Sequence, residues 1–311
     1  MKPTVLQLGP LLPLVREGLA ANYTHLDLGA LSDAAGFLAE HGPAVDAVVS
    51  SGRNGVNAAL IDALPKLRLV AHFGVGYDNV DVEYAKKKGV AVSNTPDVLT
   101  DCVADLAIAL LIDVARGVSA GDRYVRAGAW LKGAMPLATR ASGKRLGIVG
   151  LGRIGRAIAT RAEGFDMEIR YHNRRQSPDA PYAYEHSLEA LARWCDFLMV
   201  ATAGGEATRG LVSKPVIDAL GAKGFVVNIA RGSVIDETAL VAALAEKRIA
   251  GAALDVFADE PRVPAALLAL DNVVLTPHIA SATTDTRRAM GQLVLDNLES
   301  FFRDGRAVTP V

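Results

Sequence analysis

Residues 143 to 159 read Gly-Lys-Arg-Leu-Gly-Ile-Val-Gly-Leu-Gly-Arg-Ile-Gly-Arg-Ala-Ile-Ala, and no other stretch restricts the fold as much. An apolar strand, Leu146 to Val149, runs into Gly150-x-Gly152-x-x-Gly155, and a helix of small residues follows. Gly150 permits a tight turn, Gly152 lets the backbone approach a pyrophosphate, and Gly155 lets the helix pack on the strand. Leu151, Arg153 and Ile154 complete the loop and first turn, where free N–H groups and the positive dipole end face phosphates. A structural glycine turn has the same local pattern. The strand before it, the helix after it and a second strand at 167 to 172 favour a dinucleotide site.

At 311 residues the chain has room for two domains of ordinary size. Half of its residues are hydrophobic and 22% are charged, so a substantial core is expected. The net charge of −1, from 33 basic and 34 acidic residues, argues against nucleic acid or a polybasic membrane contact. Cys102 and Cys195 both fall in apolar periodic segments and read as buried free thiols. That usage suits a reducing, cytoplasmic compartment. No targeting segment is expected at the start of the chain. The most apolar stretch, Cys102 to Val114, is interrupted by Asp105 and Asp113 and reads as a buried helix rather than a membrane span.

Short apolar runs at 4–8, 47–49, 67–71 and 90–92 alternate with helical stretches at 57–63 and 82–88, which implies parallel βαβ units. Two loops leave the C-terminal ends of these strands: Ser51-Gly52-Arg53-Asn54-Gly55 and His72-Phe73-Gly74-Val75-Gly76-Tyr77-Asp78-Asn79. Ligands bind at such ends in open α/β sheets, although plain glycine turns read the same. Thr95-Pro96 breaks the chain as a hinge, and a helix is expected from Val98 to Arg116, with apolar residues at helical spacing. Residues 119 to 142 show no clear period and read as an irregular arm packing on a second subunit, hence a homodimer. Further strands are expected at 196–201, 224–229, 250–255 and 273–275, with helices at 187–194 and 237–245. A final amphipathic helix at 284–302 crosses back to the first domain. The expected architecture is α/β, with two doubly wound, Rossmann-like parallel-sheet domains and the active site in the cleft between them. A flavodoxin-like substrate domain takes residues 1–97 plus 284–311, and a dinucleotide-binding Rossmann domain takes 98–283. No metal site is expected.

Three strand ends of the second domain carry reactive side chains. Asn228-Ile229-Ala230-Arg231-Gly232 ends one strand, Ala252-Ala253-Leu254-Asp255 ends another ahead of Asp259-Glu260-Pro261, and Thr276-Pro277-His278 ends a third. A lone arginine is usually a surface charge and a lone histidine usually structural. Set together at the ends of strands in one nucleotide-binding sheet, they read as catalytic.

At these residues the chain resembles the D-isomer-specific 2-hydroxyacid dehydrogenase family. The resemblance rests on Phe73 to Asn79, Asn94-Thr95-Pro96, the glycine fingerprint, Asn228 to Gly232, Ala252 to Pro261 and Thr276 to Ser281, in the family's order. It is most similar there to the NADPH-dependent glyoxylate/hydroxypyruvate reductases, including the hydroxyphenylpyruvate branch. The resemblance implies that His278 is the general acid, paired with Glu260, whose carboxylate favours imidazolium. Arg231 would grip the substrate carboxylate, with the Val75 and Gly76 N–H groups on its other end and Ser51 and Gly52 shaping the pocket. Asp255 would orient the nicotinamide amide, and Ile229 and Ala230 would flank its ring. Thr100, Ala201, Thr202, Ala280 and Ser281 are further expected cofactor contacts. Ala203 stands where many relatives have proline, which leaves the ribose contacts of that loop less defined.

Cofactor choice follows from the end of the strand at 167–172. An NAD-specific site places an acid about twenty residues past the fingerprint. This chain has Asn173 there, followed by Arg174 and Arg175. An uncharged amide admits a 2′-phosphate and the arginines attract it, so NADPH is expected, with NADH as the weaker alternative. The expected activity is hydride reduction of a small 2-oxo acid, glyoxylate or hydroxypyruvate, to the D-2-hydroxy acid. A bulkier oxo acid such as hydroxyphenylpyruvate is the alternative substrate. A nucleotide-sensing, corepressor-like binding protein is the alternative from another class.

Overall fold

The computed structural model describes residues 2–29 and 33–311. The chain forms two compact units, Met1–Leu99 with Ala282–Val311, and Thr100–Ser281.

In the first unit, β1 (Thr4–Gln7), β2 (Thr24–Asp27), β3 (Ala47–Ser51), β4 (Leu69–Phe73) and β5 (Ala91–Ser93) form one sheet in the order β2-β1-β3-β4-β5. Every pairing is parallel. This 2-1-3-4-5 order is the flavodoxin-like form of the doubly wound fold. Both β3 and β4 are apolar runs buried along nearly their whole length, as strands covered on both faces must be. By contrast β2, with sequence Thr-His-Leu-Asp, is only partly buried at the sheet edge. It has no apolar run that would mark it in the sequence. The preceding helix Pro13–Asn22 was also unforeseen; it opens with proline at its first position, where no N–H is needed. Helix Thr284–Asp304 belongs to this unit, packing on β4 and on helix Pro13–Asn22. Its buried Asn297 bonds Thr309, and the Thr309 hydroxyl donates to the Asn94 carbonyl at 2.6 Å.

The second unit holds β6 (Arg145–Val149), β7 (Glu168–His172), β8 (Ala183–Tyr184), β9 (Phe197–Val200), β10 (Phe225–Asn228), β11 (Gly251–Leu254) and β12 (Val273–Leu275). Their order is β12-β11-β10-β9-β6-β7-β8, all parallel. Counted from β6, this is the Rossmann order 3-2-1-4-5-6 with one strand added. The order reverses between β6 and β9, which is where such sheets bind ligands. The two-residue β8 was not foreseen.

The arm at 119 to 142 departs from expectation. It contains a helix, Val118–Arg126, and a 3-10 turn, Ala129–Lys132. None of that helix's residues is buried within the chain, and its apolar Val118 and Val125 stay more than half exposed. Among the described residues, no helix is long and apolar enough to cross a membrane.

Candidate active site

The glycine loop joins β6 to helix Arg153–Glu163. Gly150 has φ of +99°, and a Cβ there would lie 2.6 Å from the Thr202 backbone. The loops that follow β6 and β9 are therefore pressed together at the switch point. A Cβ on Gly155 would lie 2.1 Å from the Gly150 carbonyl oxygen, so only glycine lets the helix sit this close to the strand. Gly152 is different: its missing side chain faces open space. The first N–H to bond within the helix is that of Arg156, to the Gly152 carbonyl at 2.9 Å, so the preceding donors lie outside the helical ladder. Room beside Gly152 and a helix N-terminus together fit a dinucleotide pyrophosphate.

Asn173 follows β7. Its Oδ1 accepts the N–H of Leu151 at 2.8 Å, and its carbonyl accepts the Tyr184 hydroxyl at 3.0 Å. Leu151 is buried and its N–H is taken by this bond. Arg174 and Arg175 come next and are exposed.

On the opposite side of the switch point, β10, β11 and β12 deliver Arg231, Asp255 and His278. His278 Nδ1 lies 2.7 Å from Glu260 Oε2, and Glu260 Oε1 accepts the Phe257 N–H at 3.1 Å. Burial pushes the Glu260 carboxyl upward. The hydrogen bond and charge of His278, the Phe257 N–H and the Arg231 charge outweigh it, and the carboxyl sits below its usual range. The pair is half-buried, with side chains 40% and 34% exposed, so a ligand can reach the ring. A Cβ on Gly232 would overlap the Phe257 backbone, so the loop of Arg231 runs against that of Glu260. Asn228 fixes the Arg231 turn, donating to the Arg231 carbonyl at 2.9 Å and accepting the Ala230 N–H at 3.0 Å.

His278 holds a left-handed backbone, with φ of 55°. Such a conformation in a non-glycine residue persists only where its surroundings impose it. Asp255 is fully buried. It accepts from the Thr276 hydroxyl at 2.7 Å, the Ile279 N–H at 2.8 Å and the Ala280 N–H at 2.9 Å. The Asp255 carbonyl also takes the His278 N–H at 2.9 Å. Anchoring this loop is a task for Asp255 beside the nicotinamide contact that the resemblance assigns it.

In the first unit, the loops after β3 and β4 are tied together by Asn79, which donates to the Ser51 and Gly52 carbonyls at 2.9 and 3.1 Å. Ser51, Gly52, Val75 and Gly76 thus belong to one loop cluster at the C-terminal ends of two adjacent strands. Thr100 begins the helix Thr100–Arg116 in the second unit, where Ala201 and Thr202 follow β9, Ile229 and Ala230 follow β10, and Ala280 and Ser281 close the His278 loop.

Sequence reasoning did not find the Asn173 tie to the glycine loop, the Asn79 bridge or the anchoring bonds of Asp255. An asparagine in a loop carries no period, and its partner is fixed only by the fold. The one available signal was polarity where a strand ends.

The family model described as D-isomer specific 2-hydroxyacid dehydrogenase, NAD binding domain, matches residues 108–280. The chain is 43% identical over 310 residues to the 2-ketogluconate reductase of Gluconobacter oxydans (strain 621H), covering 100% of this chain and 99% of that one. It is 50% identical over 275 residues to the hydroxyphenylpyruvate reductase of Plectranthus scutellarioides, covering 88% of each. The solved NADPH-dependent glyoxylate/hydroxypyruvate reductase of Sinorhizobium meliloti, in complex with NADP and malonate, matches with a TM-score of 0.93 at 43% identity. That match covers 100% of this chain and 97% of the other. The chain belongs to the D-isomer-specific 2-hydroxyacid dehydrogenase family of oxidoreductases, which work with a nicotinamide cofactor.

Proposed function

We propose that this chain is an NADPH-dependent reductase of small 2-oxo acids, glyoxylate and hydroxypyruvate foremost, giving D-2-hydroxy acids. The observation that carries the chemistry is the 2.7 Å contact between His278 and Glu260, with the charge of Arg231 acting on the same carboxylate. A bound reduced nicotinamide would supply the hydride. His278, oriented by its Nδ1 contact with Glu260 at 2.7 Å, gives its Nε2 proton to the carbonyl oxygen as that oxygen gains charge. Arg231 grips the substrate carboxylate through its fork and polarises the carbonyl, and the Val75 and Gly76 N–H groups take the carboxylate's other end. In this reading residues 98–283 form the cofactor domain, and 1–97 with 284–311 the substrate domain.

NADPH preference rests on Asn173, Arg174 and Arg175: an amide rather than an acid stands directly after β7, and two exposed cations can bond a 2′-phosphate. A cytoplasmic homodimer completes the proposal. Its support is the cluster of exposed apolar side chains in one segment, Val118, Val125, Trp130, Leu131 and Leu137. The hydroxyphenylpyruvate reductase at 50% identity supports a second reading, in which the oxo acid is bulkier. A panel of glyoxylate, hydroxypyruvate, 2-ketogluconate and hydroxyphenylpyruvate with NADPH tests the assignment. Highest kcat/KM on one of the first two supports it, and highest on hydroxyphenylpyruvate favours the second reading.

A further inference from the structure

Behind the Val75–Gly76 loop, the first unit carries a set of buried polar side chains to which the proposed reaction gives no task. Ser50 and His72 are neighbours on β3 and β4, each 1% exposed, with Ser50 Oγ 2.9 Å from His72 Nδ1. His72 Nε2 lies 3.0 Å from the Gly76 carbonyl oxygen. A carbonyl only accepts, so Nε2 is the donor. One residue back, Asn94 Nδ2 donates to the Val75 carbonyl at 3.0 Å. One further back, the Gly74 carbonyl accepts the Thr95 N–H at 2.9 Å, while the Gly74 N–H donates to the Thr95 hydroxyl at 3.1 Å. Three successive carbonyls are thereby held. The N–H groups of Val75, Gly76 and Tyr77 meet no acceptor among the described residues.

A peptide unit is planar, so fixing a carbonyl fixes the N–H of the following residue, which points the opposite way. Thr95 thus sets the Val75 N–H, Asn94 sets the Gly76 N–H and His72 sets the Tyr77 N–H. The loop lies close on the imidazole, since a Cβ on Gly74 would be 3.1 Å from His72 Nε2. We infer that Asn94 and the Ser50–His72 pair are positioning residues for substrate binding: they hold the negative peptide ends inward and keep three N–H donors turned outward as a preformed seat for the oxo acid's carboxylate. The inference rests on the substrate reading above and extends its two donors to a third, the Tyr77 N–H. Oriented in advance, such donors bind an anion without the cost of ordering the loop.

The test compares His72→Leu, His72→Gln and Asn94→Ala with the wild-type enzyme. The readouts are the KM for glyoxylate, calorimetric binding of oxalate to the NADPH-loaded enzyme, and the Kd of NADPH as a check on folding. His72→Leu removes the donor and is expected to weaken glyoxylate and oxalate about tenfold, the size of one lost hydrogen bond to a charged group. NADPH binding should hold. His72→Gln, which can still donate to the Gly76 carbonyl, should recover most of the loss. A general packing role would not distinguish glutamine from leucine in this way. If His72→Leu does not fold, Asn94→Ala carries the same expectation through the Gly76 N–H. A folded His72→Leu or Asn94→Ala with wild-type affinity for oxalate and glyoxylate overturns the positioning role alone. A wild-type enzyme that neither reduces glyoxylate nor binds oxalate overturns the substrate reading as well.

Discussion

Asn173 Oδ1 accepts the N–H of Leu151 at 2.8 Å, which fastens the residue after β7 to the glycine loop. Under the proposed NADPH reading the position would also set the charge beside the adenosine ribose, and substitutions separate that role from holding the loop. Asn173→Asp keeps an oxygen for Leu151 but puts a negative charge where the 2′-phosphate of NADPH would lie. Its KM for NADPH is expected to rise about tenfold or more, with NADH little changed. Asn173→Ala releases the loop and should weaken both cofactors. Steady-state kinetics with each cofactor separates the two patterns.

Removing the imidazole tests the acid. His278→Ala should lose about 10²-fold or more in kcat, the usual contribution of a positioned general acid. NADPH binding followed by fluorescence should persist, since the glycine loop is untouched.

The Glu260–His278 pair also predicts a pH effect on stability. The Glu260 carboxyl is held below its ordinary value of 4.5, so the folded state binds its proton less readily than the unfolded chain. Its stabilising contribution is therefore full above that value and is lost as the pH falls through the lower folded one. Melting curves of wild type and Glu260→Gln should differ most near neutrality and converge on acidification. A difference that grows towards acid would contradict the sign.

The exposed apolar arm predicts assembly. Light scattering at micromolar concentration should give a dimer mass, and Trp130→Glu combined with Leu131→Glu should give a monomer. These side chains are 69% and 93% exposed in the single chain, so charging them should leave the folded subunit intact.

The sequence conveyed the parts whose signal is local. Gly150, Gly152 and Gly155 announced the loop because each has a steric reason within a few residues, and the apolar β3, β4, β6 and β9 announced buried parallel strands. Edge strands β2 and β8 were missed, since a short, half-exposed strand needs no apolar run. Helix Val118–Arg126 stands where an irregular arm was expected, and burial within its own unit does not specify it, since Val118 and Val125 stay more than half exposed. What the sequence could not convey is which distant polar groups meet. The Leu151–Asn173, Val75–Asn94 and Asp255–Ala280 bonds join residues brought together only by the completed sheets. Motif order indicated that Arg231, Glu260 and His278 belong together, while the 2.7 Å contact and the left-handed backbone of His278 came from the fold.

The most direct test is to follow reduced-nicotinamide absorbance while the wild-type enzyme turns over glyoxylate or hydroxypyruvate with NADPH, and again with NADH. Oxidation of NADPH that depends on the oxo acid is predicted, with kcat/KM at least about tenfold above that for NADH, as one charge-assisted bond to the 2′-phosphate implies. Equal values for the two cofactors would contradict the NADPH assignment, and no oxidation with any 2-oxo acid would contradict the reductase itself.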